Sequence, residues 1–177
     1  EVKIRSCSEK NRVLILLGSN LMDPYSSISD AIDILKNEVQ LIKKGSVFCS
    51  NSWGYVGNDY LNQMIEVEWK DSLSDLMIFL LAVEKRMGRN RNLKSKDYED
   101  RIIDLDIILW SEGKFSSKNL KVPHPRMADR RFVLVPLNEF WSDWIHPGKK
   151  KDGKELLTTC SDENLVHLYQ LNKKNKK

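Results

Sequence analysis

Two aspartates lie within the most apolar part of one short stretch, DRIIDLDIILW at residues 100–110. If this stretch is a β-strand, Asp104 and Asp106 project from one face, about 6.5 to 7 Å apart at Cα, and Ile103, Leu105 and Ile107 face the other way. Ionised carboxylates that leave water together repel each other unless a cation pairs with them. Mg²⁺ bridges such carboxylates to phosphates. The pair therefore suggests a magnesium site, although two solvent-facing aspartates at a sheet edge would give the same pattern.

Basic residues on both sides of the aspartate pair suggest a phosphorylated ligand. They are Arg89, Arg91, Lys94, Lys96, Arg101, His124, Arg130 and Arg131. Arginine forks match phosphate oxygens bidentately. The chain has no GxxxxGK[ST] motif, and LLGSN holds a single glycine, so neither a P-loop nor a dinucleotide fingerprint is present. We expect a nucleotide such as ATP to be held by metal ions and arginines.

A second group of residues is aromatic and lies in or near a glycine-containing segment, NSWGYVGND at 51–59. Trp53 and Tyr55 stand beside glycines, where burial in a core is less common than in a strand or helix. Tyr60, Asn62 and Phe132 complete the group. Aromatic rings with an amide can hold a flat heterocycle by stacking and hydrogen bonding.

Hydrophobic periodicity predicts the strands and helices that carry these residues. Strands are predicted at 12–20, 46–50, 60–69 and 100–110, and helices begin at Asp23 and Ser72, the second ending at Gly88. A charged loop precedes Asp104, an apolar run covers 132–137, and short helices are predicted at 154–160 and 163–171. This order predicts an α+β, ferredoxin-like sandwich, an antiparallel sheet with helices packed on one face and the other face open for a site.

Length and composition favour one domain. The chain has 177 residues, 41% hydrophobic and 31% charged, and a net charge of +4. No apolar run approaches the roughly 20 residues of a membrane span, and the start EVKIRSCSEKN has no apolar centre, so we expect a cytoplasmic protein without a membrane partner. Cys7, Cys49 and Cys160 are too few and too scattered for a disulfide framework and are expected to be free thiols.

The order of the motifs resembles the 6-hydroxymethyl-7,8-dihydropterin pyrophosphokinase family of folate biosynthesis. The matching segments, between residue 12 and about 147, are LLGSN at 16–20, SNSWGYVGNDYLN at 50–62, VEKRMGRNR at 83–91, RIIDLDIILW at 101–110 and VPHPRMADRRFVLVPL at 122–137. The resemblance implies a ferredoxin-like fold and transfer of pyrophosphate from ATP to the pterin alcohol, giving the pterin diphosphate and AMP. It also implies one domain over 1–177, with flexible ends at 1–11 and 172–177.

The resemblance assigns roles residue by residue. It implies two Mg²⁺ ions at Asp104 and Asp106, and catalytic roles for these two residues with Arg91 and Arg101. The implied pterin-binding residues are Ser50, Trp53, Tyr60, Asn62 and Phe132. The implied nucleotide-binding residues are Glu84, Arg91, Tyr98, Arg101, Ile107, His124 and Arg130. The expected partners are the two small-molecule substrates, with no nucleic acid, and the expected state is a monomer.

Three residues depart from the family pattern. Glu99 and Asp100 stand where the family has Gly or Ala and often Pro, and Ser52 stands where Pro is frequent. Two extra acids should repel ATP unless they face solvent or pair with Lys94 and Lys96. Two alternatives therefore stay open, an inactive relative that binds pterin or nucleotide and an RNA-binding module, although the latter leaves the aspartates unexplained.

Overall fold

The computed structural model describes residues 11–89 and 100–171, so the predicted flexible ends lie outside it except for residue 11. The strands are β1 (Arg12–Ser19), β2 (Gln40–Ser50), β3 (Tyr60–Glu68), β4 (Asp104–Trp110), β5 (Phe115–Ser116), β6 (Lys121–Val122) and β7 (Val166–Leu168). The helices are α1 (Pro24–Leu35), α2 (Leu73–Arg86), α3 (Arg131–Phe140) and α4 (Gly153–Thr158).

The first two helices begin where their capping residues predict. The Asp23 side chain accepts a hydrogen bond from the backbone N–H of Ser26, and Pro24 is the first helical residue of α1. Ser72 accepts in the same way from the N–H of Asp75 at the start of α2. Gly88, just beyond the end of α2, has a φ of +93°, a conformation that favours glycine.

Five strands form one antiparallel sheet in the order β4-β1-β3-β2-β7. The register places Gly18 of β1 opposite Asn62 of β3 and Asp104 of β4. Side chains at the ends of these neighbouring strands therefore meet, although their residues are far apart in sequence. The antiparallel sheet with helices packed on it confirms the predicted α+β, ferredoxin-like class.

Helices cover both faces of this sheet, not one face as predicted. On one face, α1 and α2 pack on the odd-numbered residues of β1, Val13, Ile15 and Leu17. On the other face, α3 and α4 pack on Leu14 and Leu16. An apolar run without polar alternation is typical of a strand that is buried on both faces, and this was the signal in RVLILLGS. The site therefore occupies only the part of the second face that α3 leaves open.

The end of the described chain forms a strand where a helix at 163–171 is predicted, so that prediction is wrong. Residues Val166–Leu168 pair with Phe48–Ser50 of β2 as an edge strand. The backbone N–H of Asn164 donates to the Asp162 carboxylate, a local turn that competes with helix formation. The open edge of β2 then supplies the hydrogen-bond partners. The other predicted short helix is present as α4, with a capping box between Asp152 and Glu155.

Within residues 11–89 and 100–171, no helix is long and apolar enough to cross a membrane. Cys49 and Cys160 are free thiols, as predicted, and Cys7 lies outside the described residues.

One buried hydrogen bond joins the end of α3 to strand β3. A variant that removes it tests how this helix packs on the sheet. Trp141, just after α3, donates its indole N–H to the Glu66 carboxylate of β3 at 2.8 Å, and both residues are buried. We expect Trp141→Phe to lower the free energy of unfolding by about 2 to 4 kcal/mol, because it leaves a void and removes a donor from a buried carboxylate.

Urea denaturation of Trp141→Phe, Glu66→Gln and the unmodified chain measures this effect. Glu66→Gln is the matched control, since the amide oxygen still accepts from the indole and the loss should be smaller. Equal losses in the two variants would contradict the packing of Trp141 on β3.

Candidate active site

A cavity of about 290 Å³ opens on the second face of the sheet, at the end that α3 leaves uncovered. This volume lies near the lower end of the range for small-molecule sites. Strands β1 to β4, the loop at 51–59 and the segment 124–132 all contribute to its wall. The lining residues are Leu16, Gly18, Ser50, Asn51, Trp53, Tyr55, Tyr60, Asn62, Arg89, Arg101, Asp104, Asp106, His124, Arg126, Arg130 and Phe132.

Two arginines hold the first aspartate of the pair. One guanidinium nitrogen of Arg89 lies 2.6 Å from Oδ1 of Asp104, and one of Arg101 lies 2.6 Å from Oδ2. Burial opposes the ionisation of Asp104, but Arg89 and Arg101 outweigh it and hold the pKa of this carboxyl below its ordinary 3.8. Asp104 is therefore a permanent anion at neutral pH.

The second aspartate has the opposite electrostatic balance. Burial, and then repulsion from Asp104, raise the pKa of Asp106 from 3.8 to about 7. Both side chains line the cavity, whereas Ile103, Leu105 and Ile107 belong to the core under α1 and α2, as the alternation predicts. The two carboxyls cannot both ionise easily at neutral pH without additional positive charge nearby.

Glu84 of α2 lies behind this cluster. Its side chain is 1% exposed, and Oε1 accepts from the backbone N–H of Leu105 at 2.9 Å and from the Arg89 guanidinium. Glu84 therefore orients Arg89, which in turn reaches Asp104. Glu84 is not among the residues that line the cavity, and its role in nucleotide binding stays a prediction.

The residues present fit a divalent cation that arrives with a phosphate ligand. Hard cations prefer carboxylate oxygens, and Mg²⁺ is commonly held by one or two carboxylates, water and substrate phosphates. Asp104 and Asp106 are two such ligands, and a cation beside Asp106 would offset the burial and the repulsion that raise its pKa. Within the described ranges no group of three or more acidic, His or Cys side chains could hold a metal alone. Phosphate oxygens would have to complete the coordination.

His124 presents a neutral hydrogen-bond donor to the cavity. Burial, then repulsion from Arg130 and Arg126, lower its pKa from 6.5 to about 4. Nδ1 accepts from the backbone N–H of Arg126 at 3.2 Å, which assigns the remaining proton to Nε2. A neutral imidazole of this tautomer can donate to a phosphate oxygen.

The other half of the cavity is aromatic. The guanidinium of Arg130 lies over the ring of Trp53, 4.7 Å from its centroid, and over the ring of Phe132, at 5.4 Å. The Tyr60 ring also lines the cavity, and burial raises the pKa of its hydroxyl. A flat, electron-poor or cationic group can stack on such rings. This half and the carboxylate half share one continuous space.

The buried side-chain amide of Asn62 lines the cavity. Asn62, 2% exposed, donates from Nδ2 to Oγ of Ser50 at 2.9 Å. A Cβ atom at Gly18 would lie 3.3 Å from Oδ1 of Asn62, so any larger residue there would press on this amide and require it to shift by a few tenths of an ångström. Ser50 and Asn62 therefore form a fixed polar pair that a heterocycle edge can contact.

The structure brings most of the predicted site residues to the cavity. The lining includes the pterin-side residues, and it also includes Asp104, Asp106, Arg101, His124 and Arg130. Ile107 is 3% exposed and packs in the core, so its side chain does not reach the cavity, because residues of β4 alternate between faces. Arg91 and Tyr98 lie outside the described residues.

Sequence reasoning placed three lining residues among plausible candidates but gave them no role. Arg89 was named only among the basic residues near the aspartate pair, Arg126 was present only within the motif at 122–137, and Tyr55 was named only as an aromatic in the loop. The position of Arg89 directly after Gly88, the glycine predicted to end the helix, was the available signal. No pattern in the sequence indicated that Asn51 or Leu16 would line the cavity.

Comparison with known proteins identifies the family. The family described as 7,8-dihydro-6-hydroxymethylpterin-pyrophosphokinase (HPPK) matches residues 14–142. A 2-amino-4-hydroxy-6-hydroxymethyldihydropteridine pyrophosphokinase of Porphyromonas gingivalis is 33% identical over 138 residues, 76% of this chain and 93% of that protein. The enzyme of the same name from Aquifex aeolicus is 34% identical over 144 residues, 81% of this chain and 88% of that protein.

Solved structures share the fold. A crystal structure of HPPK-DHPS in complex with substrates superposes with a TM-score of 0.64 and 11% identity, covering 84% of this chain and 43% of that one. At this identity the likeness concerns the fold, and this chain matches less than half of the longer polypeptide. The match over residues 14–142 and the identity to the two bacterial enzymes carry the assignment. The chain belongs to the 7,8-dihydro-6-hydroxymethylpterin-pyrophosphokinase family.

Proposed function

We propose that this chain transfers pyrophosphate from ATP to 6-hydroxymethyl-7,8-dihydropterin in folate biosynthesis, releasing AMP and the pterin diphosphate. The observation that carries the proposal is the division of one cavity into two halves. Asp104 and Asp106 with their arginines form one half, and the aromatic rings with Asn62 form the other. The first half suits a metal-bound triphosphate and the second suits a pterin ring.

The carboxylates Asp104 and Asp106 would hold two Mg²⁺ ions. When bound, these ions would neutralise phosphate charge and fix the geometry of the triphosphate. Each oxygen of Asp104 contacts one arginine, so Asp104 would hold Arg89 and Arg101 beside the bound phosphates. Asp104, one of the two proposed ligands of the metal ions, therefore also contacts two guanidinium groups.

The chain's own residues would act mainly by orientation and charge. The hydroxymethyl oxygen of the pterin attacks the β-phosphorus of ATP in line, and AMP leaves. Arg101 and Arg89 stabilise negative charge on the phosphate oxygens, and Nε2–H of His124 adds a neutral donor. We infer that no covalent enzyme intermediate forms, because positioning and charge stabilisation account for phosphoryl transfer of this kind.

The pterin would be oriented by the opposite half of the cavity. Trp53, Tyr60 or Phe132 would stack on the ring, and Asn62 with Ser50 would contact its edge. Arg130 lies over two of these rings, so it stands at the boundary between pterin and phosphates. We also infer that one chain suffices for catalysis, since a single chain supplies all the residues described here, and that ATP use fits a cytoplasmic location.

Product analysis tests the proposal. The chain is mixed with Mg²⁺, ATP and 6-hydroxymethyl-7,8-dihydropterin, and nucleotides are separated by chromatography. AMP formed in step with a pterin diphosphate supports pyrophosphate transfer. ADP would mean single phosphoryl transfer and would overturn attack on the β-phosphorus. If neither nucleotide forms while pterin still binds, the chain is an inactive relative.

Removal of either carboxylate should abolish turnover without unfolding the chain. We expect Asp104→Ala and Asp106→Ala to lower kcat by at least about 10²-fold to 10³-fold, because each removes a charge from the metal and phosphate cluster. Turnover is measured as AMP release, and circular dichroism verifies the fold. Near-normal turnover in either variant would contradict the two-metal assignment.

The same cluster predicts a pH-dependent stability. The folded Asp106 has a pKa of about 7, above its ordinary 3.8, so the folded chain binds more protons between these values. Without Mg²⁺, this group therefore destabilises the fold progressively as pH rises from about 4 to about 7. Asp106→Asn should be more stable than the unmodified chain by about 1 to 3 kcal/mol at pH 8, and nearly equal at pH 4. Urea denaturation at both values measures this, and a difference independent of pH would refute it.

Trp53 should report pterin binding. Trp53→Phe keeps an aromatic ring in the cavity but removes the indole nearest the proposed pterin position. We expect the pterin-dependent change in tryptophan fluorescence to fall by more than about half, because Trp53 lines the cavity and quenching strengthens steeply as the two rings approach each other. Trp69→Phe is the control, since Trp69 stacks on Phe79 away from the cavity. An equal change in both variants would place the pterin elsewhere.

Glu84 should act through Arg89. Glu84→Gln keeps an oxygen for the Leu105 N–H but leaves Arg89, whose side chain is 10% exposed, without one of its two anions. We expect a loss of about 2 to 3 kcal/mol in the free energy of unfolding. Asp33→Asn, which removes an exposed partner of Lys36 on α1, is the control and should change stability little. Equal stability of Glu84→Gln and the unmodified chain would contradict a buried ion pair.

A further inference from the structure

Asp100 lies at the junction of three segments that surround the cavity. Its Oδ1 accepts from the side-chain amide of Asn20 at 2.6 Å and from the Tyr55 hydroxyl at 3.0 Å. Its Oδ2 accepts from the side-chain amide of Asn58 at 2.8 Å. The carboxylate is thus surrounded by neutral donors instead of facing the phosphate site or pairing with a lysine of the described chain. The three donors hold this acid within the loop network at a fixed position.

Asn20 extends this contact to the catalytic arginine. It is 3% exposed, and its Oδ1 accepts from the backbone N–H of Arg101 at 2.6 Å, while its own N–H donates to the Arg101 carbonyl at 3.0 Å. Its amide nitrogen also lies 3.1 Å from the carbonyl of Asn58. Arg101 is the residue that pairs with Asp104. One network therefore connects the loop at 51–59 with the phosphate half of the cavity.

Tyr55 carries the network to the pterin half. Its hydroxyl lies 3.1 Å from the Tyr60 hydroxyl, and Tyr60 lines the cavity. The loop is closely packed at this point, since a Cβ atom at Gly57 would lie 2.5 Å from Oδ1 of Asp100 and would also collide with the Tyr55 ring. Ser52 closes the loop internally by donating to the Tyr55 carbonyl at 2.7 Å. Two of the three departures from the family pattern, Asp100 and Ser52, thus support the same loop.

We propose that Asp100 is a positioning residue that holds the loop at 51–59, with Trp53 and Tyr55, in the arrangement that receives the pterin. The proposal deepens the proposed function and rests on it. Asp100 contacts neither substrate position, and it acts through Tyr55, Asn58 and Asn20. By ordering the loop before the pterin arrives, it removes part of the entropy cost of binding. Loss of the contact should therefore weaken pterin binding more than it slows phosphate transfer.

A charge exchange between Asp100 and Asn58 tests the proposal. Asn58→Asp places a carboxylate against Asp100 and should separate the loop from it. The double variant, Asn58→Asp with Asp100→Asn, restores a donor opposite an acceptor. We expect the single variant to raise the KM for the pterin about tenfold and the double variant to return it to within about threefold of the unmodified chain, with kcat and the KM for ATP changing less.

Hydrogen exchange of the segment 51–59, measured by mass spectrometry without ligands, separates this proposal from the proposed function. Faster exchange in Asn58→Asp and recovery in the double variant show the contact even if the unmodified chain makes no AMP, and pterin binding then replaces KM as the second measurement. Unchanged exchange, or equal impairment of the single and double variants, overturns the proposal. Restored exchange without restored pterin affinity also overturns it, since Asp100 would then support the loop without positioning it for the pterin.

Discussion

Two carboxylates on one face of a buried strand constrain the rest of this structure. Asp104 and Asp106 cannot both carry charge at low cost in such a position, so the chain surrounds them with cations. Arg89 and Arg101 each contact one oxygen of Asp104, and Asp106 is left with a pKa of about 7. A cation beside Asp106 would therefore be stabilised, at the point where the phosphates of ATP would bind.

The fold meets this constraint through the register of the central strands and through the helix behind them. β1 and β4 bring Gly18 next to Asp104, and β1 and β3 bring the same glycine next to Asn62. On the far side, α2 supplies Glu84, which holds Arg89 and the backbone of Leu105. The polar site is therefore anchored in the core under α1 and α2, while α3 limits its extent on the other face.

Much of this arrangement follows from local patterns in the sequence. Alternation along β4 predicted which face carries Asp104 and Asp106, and caps at Asp23 and Ser72 predicted where the helices begin. The ordered motifs predicted the family, which comparison confirmed. Such features depend on neighbours in the sequence, so they can be recognised without a structure.

The remaining features depend on contacts between distant residues. β7 forms because β2 offers an unpaired edge, which no pattern within 163–171 reveals. Glu84 lies in the last turn of α2 and Arg89 follows the end of this helix. Their role depends on where β4 lies relative to α2. Asp100 reads as an acid beside a phosphate site, and only the positions of Asn20, Tyr55 and Asn58 show that neutral donors surround it. Tertiary pairing decided each of these cases.

The most direct test of this account is an NMR titration of the aspartate carboxyl carbons in the metal-free chain, repeated with Mg²⁺ and a non-hydrolysable ATP analogue. We expect the Asp104 and Asp106 pair to titrate in two widely separated steps, one with a pKa below 4 and one with a pKa of about 7. We also expect Mg²⁺ with the analogue to lower the upper step by more than about one unit. Two ordinary titrations near 4, unchanged by the metal, would contradict the claim that this pair is built to bind cations.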